Sequence, residues 1–313
     1  MSEFRTNDAA PSVTFSMARV CLIALLSFVC ACAHSRALPA AARDTLRNMP
    51  FELTQSRIYV DAFVNGQGPF RFMVDTGADG VGRVDVRVVE QLGLQVVGSA
   101  MNSDNVNAAS VQVVRLDELR IGGLVRRAVE VLSRDYNTRL AAGAKPLMGI
   151  IGREFFTDPA VTFDYVRAAL SVSAEHLRPD SPDVVSYEQP FELPLKIGQH
   201  DGVGHLDTGS TLDMHFPLAW ATKLGIRDAL QPAGEGRRAN TVFQLFSAKL
   251  PVPVVLAANR VDDVDARFSE SATRIHIGGR FLHRNNCVVT IDQQRKLVRV
   301  RCGRGDNAGP LNE

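Results

Sequence analysis

Phe72-Met73-Val74-Asp75-Thr76-Gly77-Ala78 and Gly204-His205-Leu206-Asp207-Thr208-Gly209-Ser210 are two versions of one phrase, set 132 positions apart (207 − 75). A single Asp-Thr-Gly is an ordinary turn, because these residue types favour tight loops. The weight therefore lies in what recurs with it. Seventeen residues after each Asp stands Leu92-Gly93-Leu94 or Leu224-Gly225-Ile226, again at an offset of 132. Ile151-Gly152-Arg153-Glu154-Phe155-Phe156 is answered by Ile277-Gly278-Gly279-Arg280-Phe281-Leu282 at an offset of 126. Val161-Thr162-Phe163-Asp164 is answered by Val289-Thr290-Ile291-Asp292 at an offset of 128. Order is kept while loops change length, so one unit occurs twice, over residues 51–180 and 188–302. A linker at 181–187 joins them, following the Pro- and Asp-rich stretch that begins at Arg178.

Within each unit the pattern is mainly that of short strands. Ile58 to Val64 ends at the turn signal Asn65-Gly66, and Phe70 to Val74 then runs into the first Asp-Thr-Gly. Val111 to Leu119 and Val125 to Leu132 are β-rich runs around Gly122-Gly123. Only Val84 to Leu92 and Pro217 to Leu224 read as helices, each closed by a Gly stop. The fold class expected is all-β with a few short helices. Trp220 reads as a core or lobe-contact residue, and Asp164 and Asp292 as turn residues.

Composition narrows the partners. The chain has 313 residues, 45% of them hydrophobic, with 35 Lys+Arg against 34 Asp+Glu. That is enough to build packed cores, while the near-zero net charge leaves no electrostatic footprint for nucleic acid. The seven His residues lack a His-Glu-x-x-His arrangement and the five Cys residues lack metal-ligand spacing, so neither a metal nor another cofactor is expected.

Arg19 precedes an apolar run from Val20 to Ala33, too short for a comfortable membrane span but suited to an export signal. Residues 1–34 are read as that signal, 35–50 as a tether and 303–313 as a polar tail. Val29-Cys30-Ala31-Cys32 resembles a bacterial lipoprotein box with Cys32 as the acylated residue. The other reading is an ordinary cleaved signal with small residues at Ala37, Ala40 or Ala42. Either way the protein is expected to be exported to the periplasm, and on the first reading it touches the membrane only through an N-terminal lipid anchor.

The two aspartates suggest chemistry. Peptide hydrolysis needs water deprotonated on one side while the substrate is protonated on the other. Two adjacent carboxyls sharing one proton do both, because like charges in contact cannot both ionise easily. Each Thr hydroxyl is placed to hydrogen-bond toward the partner loop, and each Gly to bring an N–H to the carboxylate. Ser210 has the option of bonding the outer oxygen of Asp207, which Ala78 does not offer Asp75. The two carboxyls are therefore expected to differ.

Val74-Asp75-Thr76-Gly77-Ala78 and Leu206-Asp207-Thr208-Gly209-Ser210, each followed by an apolar-apolar-Gly element, resemble the pepsin and retropepsin-like aspartic proteases. With Ile150-Ile151-Gly152-Arg153 and short loops, the likeness is nearest a bacterial retropepsin-like type with two fused lobes. The resemblance implies an acid protease fold of two β-barrel lobes about a pseudo-twofold axis. It also implies a catalytic dyad of Asp75 and Asp207, supported by Thr76, Gly77, Ala78, Thr208, Gly209 and Ser210, with Gly152 and Gly278 structural. No cofactor is implied. A flap is expected near Gly98 to Ser110, and the matching loop Gly234 to Asn240 either covers the other side or faces solvent. His276 stands where the pattern has an apolar residue, and His205 reads as a strand His beside the loop.

Cys287 and Cys302 are read through strand register. If Asp292 pairs with Leu297 across a four-residue loop, Cys287 falls opposite Cys302, close enough for a disulfide that an exported compartment permits. The function expected is an aspartic endopeptidase acting on a peptide or protein substrate as a monomer with two internal lobes. The alternatives are an inactive peptide-binding module of the same fold and a dimer.

Overall fold

The computed structural model describes residues 47–104, 106–158 and 160–303. The export segment with Cys32, most of the tether and all but the first residue of the tail lie outside the described residues.

Three sheets account for the described strands. The first lobe is an eight-stranded sheet in the order Glu52–Thr54, Arg57–Val64, Gln67–Val74, Gly149–Ile151, Gly82–Asp85, Leu124–Arg134, Ala108–Ile121, Val96–Ser103. Arg57–Val64 also pairs with Ala108–Ile121, which curls the sheet on itself. The second lobe is a nine-stranded sheet that contains His200–Asp207, Ile275–Gly278 and Met214–Pro217 as neighbours. In both lobes the strand that leads to the Asp runs parallel to a short strand, Gly149–Ile151 in the first lobe and Ile275–Gly278 in the second.

Alternation in sequence becomes alternation in burial. In Glu192–Ile197 the side chains of Leu193, Leu195 and Ile197 are buried while Glu192, Pro194 and Lys196 face outward to differing degrees. Each fully buried large apolar side chain contributes roughly 1.5–3 kcal/mol relative to exposure, and Phe72, Phe155, Phe163, Phe216, Phe268 and Phe281 are among those with under 2% exposure.

The third sheet was not anticipated. Of its six strands four come from the two repeats, one from the end of the stretch read as a tether and one from the stretch read as a linker, in the order Met49–Pro50, Ala169–Ser173, Ala160–Asp164, Cys287–Asp292, Leu297–Cys302, Val184–Ser186. At its centre Ala160–Asp164 pairs antiparallel with Cys287–Asp292, placing Thr162 opposite Thr290 with their hydroxyls 2.8 Å apart. These two threonines are equivalent positions of the repeat. A self-pairing of equivalent residues is what a local twofold axis requires, so the axis passes through this pair. The stretch read as a linker holds Val184–Ser186, an edge strand on Leu297–Arg299, because Val184 and Tyr187 have apolar neighbours to bury against.

Helices are few and short. The first spans Val86–Leu92, two residues later than the periodicity suggests, because Val84 and Asp85 complete a strand and Asp85 serves as N-cap by accepting from the Arg87 N–H. It ends at Gly93 with φ 59°. The second spans Ala219–Lys223, since Pro217 belongs to a strand paired with Asp265–Ser269. Two further turns of helix, Arg153–Phe156 and Gly279–Arg284, follow the repeat glycines and bury Phe155, Phe156, Phe281 and Leu282.

Candidate active site

Thr76 and Thr208 lock the two Asp-Thr-Gly loops together. The Thr76 backbone N–H donates to Thr208 Oγ1 at 3.1 Å, and the Thr208 N–H donates to Thr76 Oγ1 at 3.0 Å. Each hydroxyl then donates across the interface, Thr76 Oγ1 to the Leu206 carbonyl at 2.8 Å and Thr208 Oγ1 to the Val74 carbonyl at 2.9 Å. All four bonds are buried, where an unmade one would cost about 1–3 kcal/mol. The closed ring fixes one loop against the other.

The ring holds the two carboxyls against the glycines of the loops. Gly77 N–H donates to Asp75 Oδ1 at 2.8 Å and Gly209 N–H to Asp207 Oδ1 at 3.0 Å. A Cβ at Gly209 would stand 2.5–2.7 Å from the Asp75 carboxyl, and one at Gly77 3.0 Å from Asp207 Oδ1. Each glycine thus lies against the opposite carboxyl, an approach no side chain permits at Gly209. Behind the loops, a Cβ at Gly152 would meet the Gly80 carbonyl at 2.3 Å and one at Gly278 the Leu212 carbonyl at 2.0 Å. Arg57 crosses between lobes, donating from Nε to the Gly209 carbonyl at 2.7 Å.

Two expectations need correction. The Ser210 hydroxyl does not bond the Asp207 carboxyl; it accepts from the Leu212 N–H at 3.3 Å, because the loop turns back on itself there, with the Ser210 N–H donating to the Asp207 carbonyl. Asp292 is more than a turn residue. It is 1% exposed and accepts from Leu177 N–H and lies 3.0 Å from His176 Nδ1, tying the end of the first repeat to the second. Asp164 does cap a turn, accepting from the Val166 and Arg167 N–H groups. Ala78 is buried beside Tyr59, Met73 and Ile150. Trp220 stays within its own lobe, against Phe216, His200 and Lys223. Cys287 and Cys302 pair in the expected register and are joined by a disulfide.

The carboxyls are electrostatically unequal. Burial and the charge of Asp207 push Asp75 up to about 7, against smaller opposing effects from Arg83, the Gly77 N–H and Arg57. Burial also acts to raise Asp207, but the hydrogen bond and charge of His276, the charge of His205 and the Gly209 N–H outweigh it and hold Asp207 low, at about 2. Burial keeps His205 down to about 4, so it carries charge only in acid. His276 places Nδ1 3.5 Å from Asp207 Oδ2. Asp-Thr-Gly marks both aspartates, but nothing local marks His276, Arg83 or Tyr136 as their neighbours. Burial raises the Tyr136 phenol to about 12, with Arg83 opposing and Asp75 adding to the rise.

Two hairpins meet at their tips. Val96–Ser103 and Ala108–Ile121 form the first, where a flap was expected; Gln231–Arg237 and Val242–Lys249 form the second. Asn240 N–H donates to Asp104 Oδ2 at 2.7 Å, Thr241 Oγ1 to Asp104 Oδ1 at 3.1 Å and Asn240 Nδ2 to the Asn102 carbonyl at 2.7 Å. The second loop therefore joins the first rather than simply facing solvent. Arg238, whose charge is depressed by burial, is felt by both Asp104 and Asp207.

Residues 60–155, from the strand that precedes the first Asp-Thr-Gly through the first hairpin to Phe155, match the family model for aspartyl proteases. No curated protein sequence matches the chain. The all-β, two-lobed fold is consistent with an acid protease-like architecture, and the match supports an aspartic protease-like family and a hydrolase of that kind.

Proposed function

We propose that the protein is an aspartic endopeptidase in which Asp75 and Asp207 activate one water between them. The single observation that carries this is the placement of each carboxyl against the opposite glycine, within a closed threonine ring. With Asp207 held ionised and Asp75 protonated, Asp207 takes a proton from water as its oxygen bonds to the scissile carbonyl carbon. Asp75 gives its proton to the carbonyl oxygen. The tetrahedral gem-diol collapses when Asp207 passes its proton to the amide nitrogen, the C–N bond breaks and a hydroxyl proton returns to Asp75. Both carboxyls end as they began. The paired hairpins serve as flaps that exclude water from an extended peptide.

The same reading takes the chain to the periplasm as a monomer of two internal lobes, anchored by a lipid on Cys32 and needing no cofactor or nucleic acid. The apolar run from Val20 to Ala33 supports export, and the Cys287–Cys302 disulfide suits an oxidising compartment. The test is cleavage of a mixed peptide library between pH 3 and pH 8, with Asp75→Asn and Asp207→Asn as controls. Cleavage by the wild type alone supports the assignment. Equal behaviour of all three proteins rejects it and favours a peptide-binding module.

A further inference from the structure

His205, His276 and His215 form one row across three adjacent strands of the second lobe. Parallel pairing sets His205 opposite His276, and antiparallel pairing on the other side sets His215 opposite His276. Their ring centroids are 5.6 Å and 6.0 Å apart in turn. The row begins at Asp207, through His276 Nδ1, and ends at the second hairpin, where His215 stacks on Phe243 with planes 6° apart. His215 Nε2 also lies 2.9 Å from Ser269 Oγ.

The first lobe has the same register with different chemistry. There Met73 is opposite Ile150 and Arg83 is opposite Ile150, so Met73, Ile150 and Arg83 stand where the second lobe has His205, His276 and His215. Ile150 packs in an apolar cluster with Tyr59, Met73 and Ala78. Asp207 therefore has an imidazole where Asp75 has a hydrocarbon side chain.

We propose that His276 is a positioning residue for the dyad, its Nδ1–H engaging Oδ2 of Asp207 so that Asp207 is the ionised partner and Asp75 carries the proton. The inference rests on the peptidase reading. The two oxygens of Asp207 are divided, Oδ1 toward the Gly209 N–H and Oδ2 toward His276. Other charges around the row have their own partners or act further off. Arg274 pairs with Glu192 at 2.8 Å. Arg238 donates to the Ser271 carbonyl at 3.1 Å and is felt by His215. Arg153, from the first lobe, is felt by His205. On the helix that follows, Arg280 and Arg284 face Asp213, and His283 faces Ser56. Burial holds His205 and His215 down, to about 4 and about 3, and of the three rings it is His276 that sets its Nδ1 3.5 Å from Asp207 Oδ2. Among the described residues no three His, Cys, Asp or Glu side chains are placed to hold a metal ion, and the rings of His205 and His276 meet edge-on, with planes 75° apart.

The test compares wild type with His276→Ile, which copies the first lobe's residue, and His276→Gln, which keeps a donor without charge. Two readouts are followed: the acid limb of kcat/KM, and the carboxyl 13C NMR titration of the dyad, which needs no activity. Loss of the imidazole beside Asp207 moves the lower titration step and the acid limb to higher pH, by about one unit or more in His276→Ile and by less in His276→Gln. A carboxyl titration unmoved in both folded variants overturns the inference. Failure of the wild type to cleave any peptide would instead reject the peptidase reading, and the carboxyl titration would still decide whether His276 governs Asp207.

Discussion

Asp104 and Asn240 join the two hairpins at their tips, the Asn240 backbone N–H donating to Asp104 Oδ2 at 2.7 Å. The same carboxyl accepts from Thr241 Oγ1 and from the Val106 and Asn107 N–H groups, so one side chain both shapes its own tip and holds the other. Burial acts to raise this carboxyl, but the donors from Asn107, Asn240, Thr241 and Val106 outweigh it and keep it ionised. Asp104→Ala is expected to speed amide hydrogen exchange in both hairpins together, over residues 96–121 and 231–249. Thr241→Val removes one bond of the set and should speed it less. Faster exchange confined to the first hairpin would show that the tips are not coupled.

The threonine ring gives a stability prediction independent of activity. Thr76→Val removes the acceptor of the Thr208 N–H and the donor to the Leu206 carbonyl, and leaves both buried. The cost is about 2 kcal/mol or more, since an unsatisfied buried group costs about 1–3 kcal/mol. Thr76→Ser keeps the hydroxyl and should cost under about 1 kcal/mol. Thr208→Val should match Thr76→Val, and the double variant should cost less than the sum, because the four bonds form one network. Urea denaturation with an unchanged m-value is the measurement, and strict additivity would contradict the ring.

The repeat made much of this legible. Four matched motifs at nearly constant offset carry the twofold relation from sequence to structure, and the pairing of Thr162 with Thr290 places its axis. The Asp-Thr-Gly loops and the Cys287 to Cys302 register could be read because each depends on local rules of turn and strand geometry. What escaped depends on distant pairing. The six-stranded sheet requires strands from opposite ends of the chain to meet, and Val184–Ser186 looks like linker until Leu297–Arg299 is beside it. His276 was visible only as a departure from an apolar pattern. Its meaning needs the parallel pairing that brings it level with His205 and turns it toward Asp207. Ser210 shows the opposite case, where a plausible local bond lost to a tighter one within the loop.

The disulfide closes the last hairpin of the shared sheet, spanning a sequence separation of 15. A loop of that size constrains the unfolded chain by about 3 kcal/mol in the chain-entropy model. Cys287→Ser with Cys302→Ser is expected to lose about 2–3 kcal/mol, and reduction of the wild type should give the same loss. Because Cys287–Asp292 lies next to Ala160–Asp164 in the central pair, the loss should show as lower cooperativity between lobes as well as a lower midpoint. An unchanged denaturation curve after complete reduction would rule out a stabilising role.

The unequal carboxyls make a pH prediction with a definite sign. Asp75 is raised to about 7 in the fold, well above the ordinary carboxylate range. The stability tied to its protonated form is full below the unfolded value and is lost as pH rises through about 7. Asp207 is lowered to about 2, so its contribution is present above the unfolded value and is lost as pH falls through about 2. The singly protonated dyad then exists between these limits, and kcat/KM should follow a bell with its upper limb near neutrality. Asp75→Asn should reduce kcat at least about 100-fold, the low end of what a positioned acid or base contributes. Its Tm relative to wild type should rise as pH is taken from 5 to 9, because the variant carries no charge to be forced into the site. A Tm difference that stays flat or falls over that range would mean that Asp75 ionises there without penalty, and the division of labour between the two aspartates would have to be reversed or abandoned.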